Sequence, residues 1–147
     1  MKLSTKGRYG TRLMLDLAIH YGQGRILLKD IAHRQDISNK YLGQLIMPLK
    51  NSGLVQSIRG SHGGYILSRE PASINLKQVI EAVEGSLSLV ECVDKPDICS
   101  KSDYCVNREL WTKLSEDMSH TLESITLKDL ADKQKSKTAD KRLMYDI

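Results

Sequence analysis

Apolar positions recur along this chain with two different periods, and the changes of period outline its architecture. From Ser4 or Thr5 to about Tyr21, Leu13, Leu17, Ala18 and Tyr21 fall at helical spacing; Met14 and Leu15 widen the stripe enough to serve the helix's own domain and a second subunit. Gly22 and Gly24 break it. Two shorter helical patterns follow. LLKDIAHRQDI carries Ile31 and Ile37, with Ala32 small enough for close packing. SNKYLGQLIMPLKNSG carries Leu42, Leu45, Ile46 and Leu49 on one face, with Ser38 as a plausible N-cap and Gly53 as the stop. The period then shortens. LVQSIRG and YILSRE alternate as short strands around the glycines Gly60, Gly63 and Gly64. Two adjoining helices followed by such a hairpin predict a winged helix-turn-helix.

Beyond the wing, Asn75 and Gln78 form a capping-box pattern ahead of Leu76, Val79, Ile80 and Val83, and Gly85 closes that helix. A polar, Pro96-containing stretch reads as a loop. From Asn107 the helical period returns in Leu110, Leu114, Met118, Leu122 and Ile125, with Trp111 beside them. This stripe has little left in its own chain to cover it, and pairing with a twin would bury it. Thr126 and Asp129 open a short further helix. The expected organisation is mainly α with a small β-wing: a winged helix-turn-helix domain over residues 1–86, a cysteine-bearing sensor loop over 87–106, a dimerisation helix and short following helix over 107–131, and a flexible tail over 132–147. Pro48 interrupts the second helix pattern; it predicts either a late bend or an end near Met47.

Charge sharpens this picture. Residues 1–67 hold ten lysines and arginines against three acidic residues, whereas residues 68–147 hold twelve against fifteen. The positive charge therefore accompanies the winged domain, as phosphate contact requires. The candidate DNA contacts are Thr5, Lys6, Arg8 and Tyr9 at the first helix start, Ser38, Asn39, Lys40, Tyr41 and Gln44 on the second helix of the motif, and Arg59, Ser61 and His62 at the wing tip. Each of the first group could equally be an ordinary solvated helix start. No long apolar run predicts a membrane span, and lysines and arginines punctuate the start where a signal peptide would be apolar, so the expected location is cytoplasmic. The glycine-rich wing has no Walker lysine and no dinucleotide pattern, and no nucleophile–base pair is evident, which argues against an enzyme.

All three cysteines, Cys92, Cys99 and Cys105, fall in the polar loop, with six residues between the first pair and five between the second. Three nearby thiolates are soft donors suited to an iron–sulfur cluster; zinc and free redox-active thiols are the alternatives, the spacing being wider than a zinc knuckle. At the far end, LMYDI sets Tyr145 and Ile147 beside the carboxyl terminus, where they form either an anchor for a partner's pocket or a frayed end.

The strings KLSTKGRYG, SNKYLGQLI, VQSIRGSHGGYIL, NLKQVIEAVEG and NRELW resemble, over nearly the whole chain, the bacterial winged-helix family of the iron–sulfur cluster regulator, the nitric-oxide-sensing repressor and the cysteine-metabolism repressor. The resemblance implies a homodimeric transcriptional regulator of double-stranded DNA and, by two of those relatives, a repressor. Its helix from Ser38 would lie in the major groove, with Tyr41 and Gln44 near base edges, and Arg59 would lie in or near the minor groove. It also implies a [2Fe–2S] or [4Fe–4S] cluster on Cys92, Cys99 and Cys105. This chain departs from the pattern at the fourth ligand: Arg108 stands where the cluster regulator has a histidine, and Arg8 stands in the region where the nitric-oxide sensor supplies a carboxylate. Asn107, Glu109, a partner-subunit residue, water or a small thiol are the remaining options. The tail instead looks like that of the cysteine-metabolism repressor, which implies cysteine synthase as a partner for Tyr145 and Ile147.

Overall fold

A computed structural model describes residues 2–61 and 63–145. The elements follow the order α1 (Thr5–Ile19), α2 (Leu28–Gln35), α3 (Asn39–Asn51), β1 (Val55–Ser57), β2 (Tyr65–Leu67), α4 (Leu76–Glu84), α5 (Glu91–Asp94), α6 (Val106–Glu123) and α7 (Leu127–Tyr145). β1 and β2 pair antiparallel with Val55 opposite Leu67 and Ser57 opposite Tyr65. Ile26 extends this wing by exchanging two backbone hydrogen bonds with Tyr65, each 2.9 Å.

The core gathers the apolar faces anticipated above: Leu13, Met14 and Leu17 of α1, Ile31 of α2, Leu42, Leu45, Ile46 and Leu49 of α3, Val79 and Val83 of α4, and Leu54, Val55 and Leu67 of the wing. Local chemistry sets the ends. Ser38 Oγ accepts from the Tyr41 amide at 3.1 Å, and Asn75 and Gln78 form the complete reciprocal box. Asp36, at φ 53°, turns the chain between α2 and α3.

Several expectations need correction. α1 stops at Ile19, and Tyr21 lies beyond it, exposed, rather than on the buried face. α3 runs through Pro48 to Asn51; the bond that Pro48 cannot donate belongs to the carbonyl of exposed Gln44, where water can replace it. The segment 87–106 holds α5 and two 3₁₀ turns, Pro96–Ile98 and Ser102–Tyr104.

The largest difference is at the C-terminal end. Residues 132–145 are helical, not a loose tail, and continue α7 without a break. The helix begins at a buried anchor: Leu127 and Ala131 enter the core, and Leu76 and Leu127 donate backbone bonds of 2.9 Å to Ile125 and Ile74. Thr126 and Asp129 cap it reciprocally, and these hydrogen bonds hold the Asp129 carboxyl below its ordinary range. Beyond that start no glycine or proline interrupts the run, and Lys128 pairs with Asp132 one turn on. Propensity and local pairs build this helix; an apolar period does not, so hydrophobic patterning missed it.

Candidate nucleic-acid interface

The start of α1 meets the start of α3. A concavity of about 460 Å³ between them is lined by Ser4, Thr5, Lys6, Tyr41, Val83 and Glu84. Thr5, Lys6 and Arg8 are exposed, as are Ser38, Asn39, Lys40 and Gln44 on α3. Arg59 and Ser61 are exposed on the wing; His62 lies outside the described residues. Tyr41 is different. Its ring is half-buried and packs edge-on against Tyr9, with centroids 5.8 Å apart at 84°. The guanidinium carbons of Arg8 and Arg12 lie 5.5 and 5.3 Å from the Tyr9 ring centroid. Tyr9 and Tyr41 therefore join α1 to α3 and direct Arg8, a role that spacing within either helix did not suggest.

Two further polar groups hold the interface in place. α1 has no acidic residue in its first turn, and Glu84 from the end of α4 supplies the charge. Its carboxylate accepts from the Ser4 and Gly7 amides, both at 3.1 Å, and from the Ser4 hydroxyl. Buried Asp16 accepts from Arg34 Nε at 3.0 Å, Arg34 Nη2 at 2.7 Å and Gln35 Nε2 at 3.0 Å. Arg12 in turn donates to the side chain and carbonyl of Gln35. The carboxylate holds the Arg34 pKa above its ordinary value. This network fixes the end of α2, and with it the turn into α3. Glu84 lies far from Ser4 in the chain, so no local motif signalled it; Arg12, Asp16 and His20 recur every fourth residue along α1 and its C-cap, a polar stripe that could have marked the second group.

The cysteine segment sits against α6. Cys92 and Cys105 are half-buried and Cys99 is exposed. Cys105 caps α6, its Sγ accepting from the Arg108 amide at 3.4 Å, and Arg108 Nε donates to the Cys92 carbonyl at 2.9 Å. Arg108 thus braces the segment in the place where the resemblance puts a ligand. Among the described residues, no group of three or more His, Cys, Asp or Glu side chains is gathered to hold a metal ion. The thiols have suitable donor chemistry, but this conformation does not assemble them. Leu89 donates to buried Ser115 Oγ at 3.0 Å, tying the segment's start to α6.

The profile of the Rrf2 family, described as an iron-dependent transcriptional regulator, matches residues 3–133. The chain belongs to the Rrf2 family. CymR of Bacillus subtilis strain 168 is 44% identical over 131 residues, covering 89% of this chain and 90% of that protein. IscR of Xenorhabdus nematophila is 42% identical over 134 residues, covering 91% and 81%. Both are HTH-type transcriptional regulators. Among solved structures, CymR, the global cysteine regulator of B. subtilis, superposes with a TM-score of 0.74 at 42% identity, covering 90% of this chain and 97% of that one. T. potens IscR gives 0.75 at 42% identity, covering 91% and 88%. The Rrf2 winged-helix fold is thus shared with both branches at nearly equal identity. No helix among the described residues is long and apolar enough to cross a membrane.

Proposed function

We propose that this Rrf2 protein is a cytoplasmic, homodimeric repressor that binds double-stranded DNA. The first turn of α3 enters the major groove, and the wing tip with Arg59 and Ser61 approaches the minor groove. The observation that carries this reading is the convergence of the α1 and α3 starts. There Thr5 and Lys6 line one concavity with Tyr41, while Arg8, Ser38, Asn39, Lys40 and Gln44 are exposed near the same two helix starts, on a domain with excess positive charge. Gln44 is suited to adenine and Lys40 to phosphate. Gln44→Ala is expected to cost about 1–3 kcal/mol of preference for operator over random DNA while preserving the salt dependence of binding. Competition titrations at several salt concentrations check this. An unchanged preference would remove Gln44 from base recognition.

Regulation is assigned to residues 87–106. Cys92, Cys99 and Cys105 are the donors available to an iron–sulfur cluster, and they must move together to hold one. A cluster would supply the segment with sensitivity to iron–sulfur status, oxidants or nitric oxide. Arg108, which joins the Cys92 carbonyl to the start of α6, is one residue through which a rearranged segment would reach that helix, beside the Leu89–Ser115 bond and the Cys105 cap. Anaerobically purified protein is expected to carry iron and sulfide, and Cys99→Ala to lose both. Metal-free wild type prepared the same way would transfer control to the second reading. That reading is a cluster-free repressor of sulfur metabolism, governed by thiol oxidation or by cysteine synthase. Its support is the relationship to CymR and the exposure of Leu143, Met144 and Tyr145 at the end of α7. Ile147, the other residue assigned to that contact, lies outside the described residues.

A further inference from the structure

Arg25 lies between α1 and α2, distant in sequence from the wing, yet the fold carries it there. The paired backbone bonds between Ile26 and Tyr65 set the preceding residue alongside β2. From that edge the Arg25 side chain crosses the hairpin where glycines leave room. A Cβ placed on Gly64 would lie 2.9 Å from Arg25 Cβ and 3.1 Å from its Cγ; one on Gly60 would lie 3.0 Å from Nη1. The stem therefore lies over Gly64 while the guanidinium reaches Gly60, the residue directly after Arg59. Both glycines have positive φ, 137° and 151°, so the backbone shape and the missing side chains together make the trough.

The head group is exposed, and among the described residues no acidic side chain forms an ion pair with it. Arg34, by contrast, spends its guanidinium on Asp16. A cation with a packed stem and an unpaired head has lost part of its rotamer freedom before any anion arrives, which suits it to a phosphate. Its neighbour in space is the wing tip.

We infer that Arg25 is a second DNA-contacting arginine of the wing, taking a backbone phosphate beside the groove that Arg59 approaches. This rests on the DNA-binding function proposed above and adds a contact that the wing sequence does not contain. The alternative role is purely mechanical, with the stem bracing the hairpin.

Salt dependence separates the two roles, because each phosphate contact contributes about 0.9 to the slope of log affinity against log salt. The full-length protein, Arg25→Gln and Arg25→Lys would be titrated with a mixed-sequence duplex of roughly 30 base pairs, long enough for two half-sites. Arg25→Gln is expected to weaken binding about five- to tenfold at the lowest salt and to reduce the slope by about 1.8 for a dimer. Arg25→Lys is expected to restore most of the slope, and all three proteins to melt at similar temperatures. A Gln variant that keeps the wild-type slope overturns the phosphate contact, whether its affinity falls or not. Wild type without salt-dependent binding would instead overturn the DNA-binding function itself.

Discussion

Arg34→Ala is expected to destabilise the protein by about 3–5 kcal/mol and to weaken DNA binding even under conditions where the variant remains folded. The reason is an asymmetry within one ion pair. Asp16 is 2% exposed, whereas the Arg34 side chain is 36% exposed. Removing Arg34 leaves a carboxylate in the interior with only Gln35 and His20 beside it. Removing the charge from the other side, by Asp16→Asn, leaves an arginine that can turn into water, and the expected cost is smaller, about 1–3 kcal/mol. The double variant should lose less than the sum, since once the carboxylate is replaced by an amide no buried charge is left to strand. Urea unfolding at fixed protomer concentration measures all three. Equal losses for the two single variants would show that the buried carboxylate does not govern the pair. The DNA effect follows from position. Arg34 and Gln35 are the end of α2, and Asp36 turns the chain toward α3. Loosening that end loosens the turn that leads into α3, whose start carries the proposed DNA contacts.

This network also shows where reading the chain residue by residue stops. The Ser38 cap, the Asn75–Gln78 box, the wing glycines and the apolar faces of α1, α3 and α4 were legible because their partners are a few residues away or one period apart. The Asp16–Arg34 pair and the seat of Glu84 on the start of α1 join residues far apart in sequence, and no local rule connects them. Tyr41 illustrates the same boundary within the candidate site. Its place in the first turn of α3 marked it for base contact; its edge-on packing against Tyr9 was not legible from that place. Its neighbours Asn39, Lys40 and Gln44 stay exposed. The cysteines carry the lesson from the other side. Closeness along the chain suggested one ligand set; it did not reveal that Cys105 caps α6 or that Cys99 is exposed. Arg25 was invisible for the opposite reason: the chain separates it from a wing that the backbone brings beside it.

Leu114→Glu is expected to convert a dimer into monomers, raising the dimer dissociation constant by at least about a hundredfold. Leu110, Leu114 and Met118 follow one another along α6 at 50%, 38% and 39% exposure in a single chain. They share one stripe, and the winged domain's core lies elsewhere. A twin helix across a two-fold axis would cover them, and every residue of such a contact appears twice. The substitution therefore removes two leucines and inserts two carboxylates, each losing water without gaining a cation. The winged domain should keep its own melting behaviour, because Leu114 does not belong to its core. Sedimentation velocity measures the assembly directly. DNA binding should fall further than loss of one contact explains. Two heads on one dimer bind the second half-site at high effective concentration, an advantage of about 10²–10⁴ that separate heads forfeit. A Leu114→Glu protein that remains dimeric would assign the two-fold contact to another surface. One that becomes monomeric yet keeps its operator affinity would mean that a single winged domain suffices for recognition.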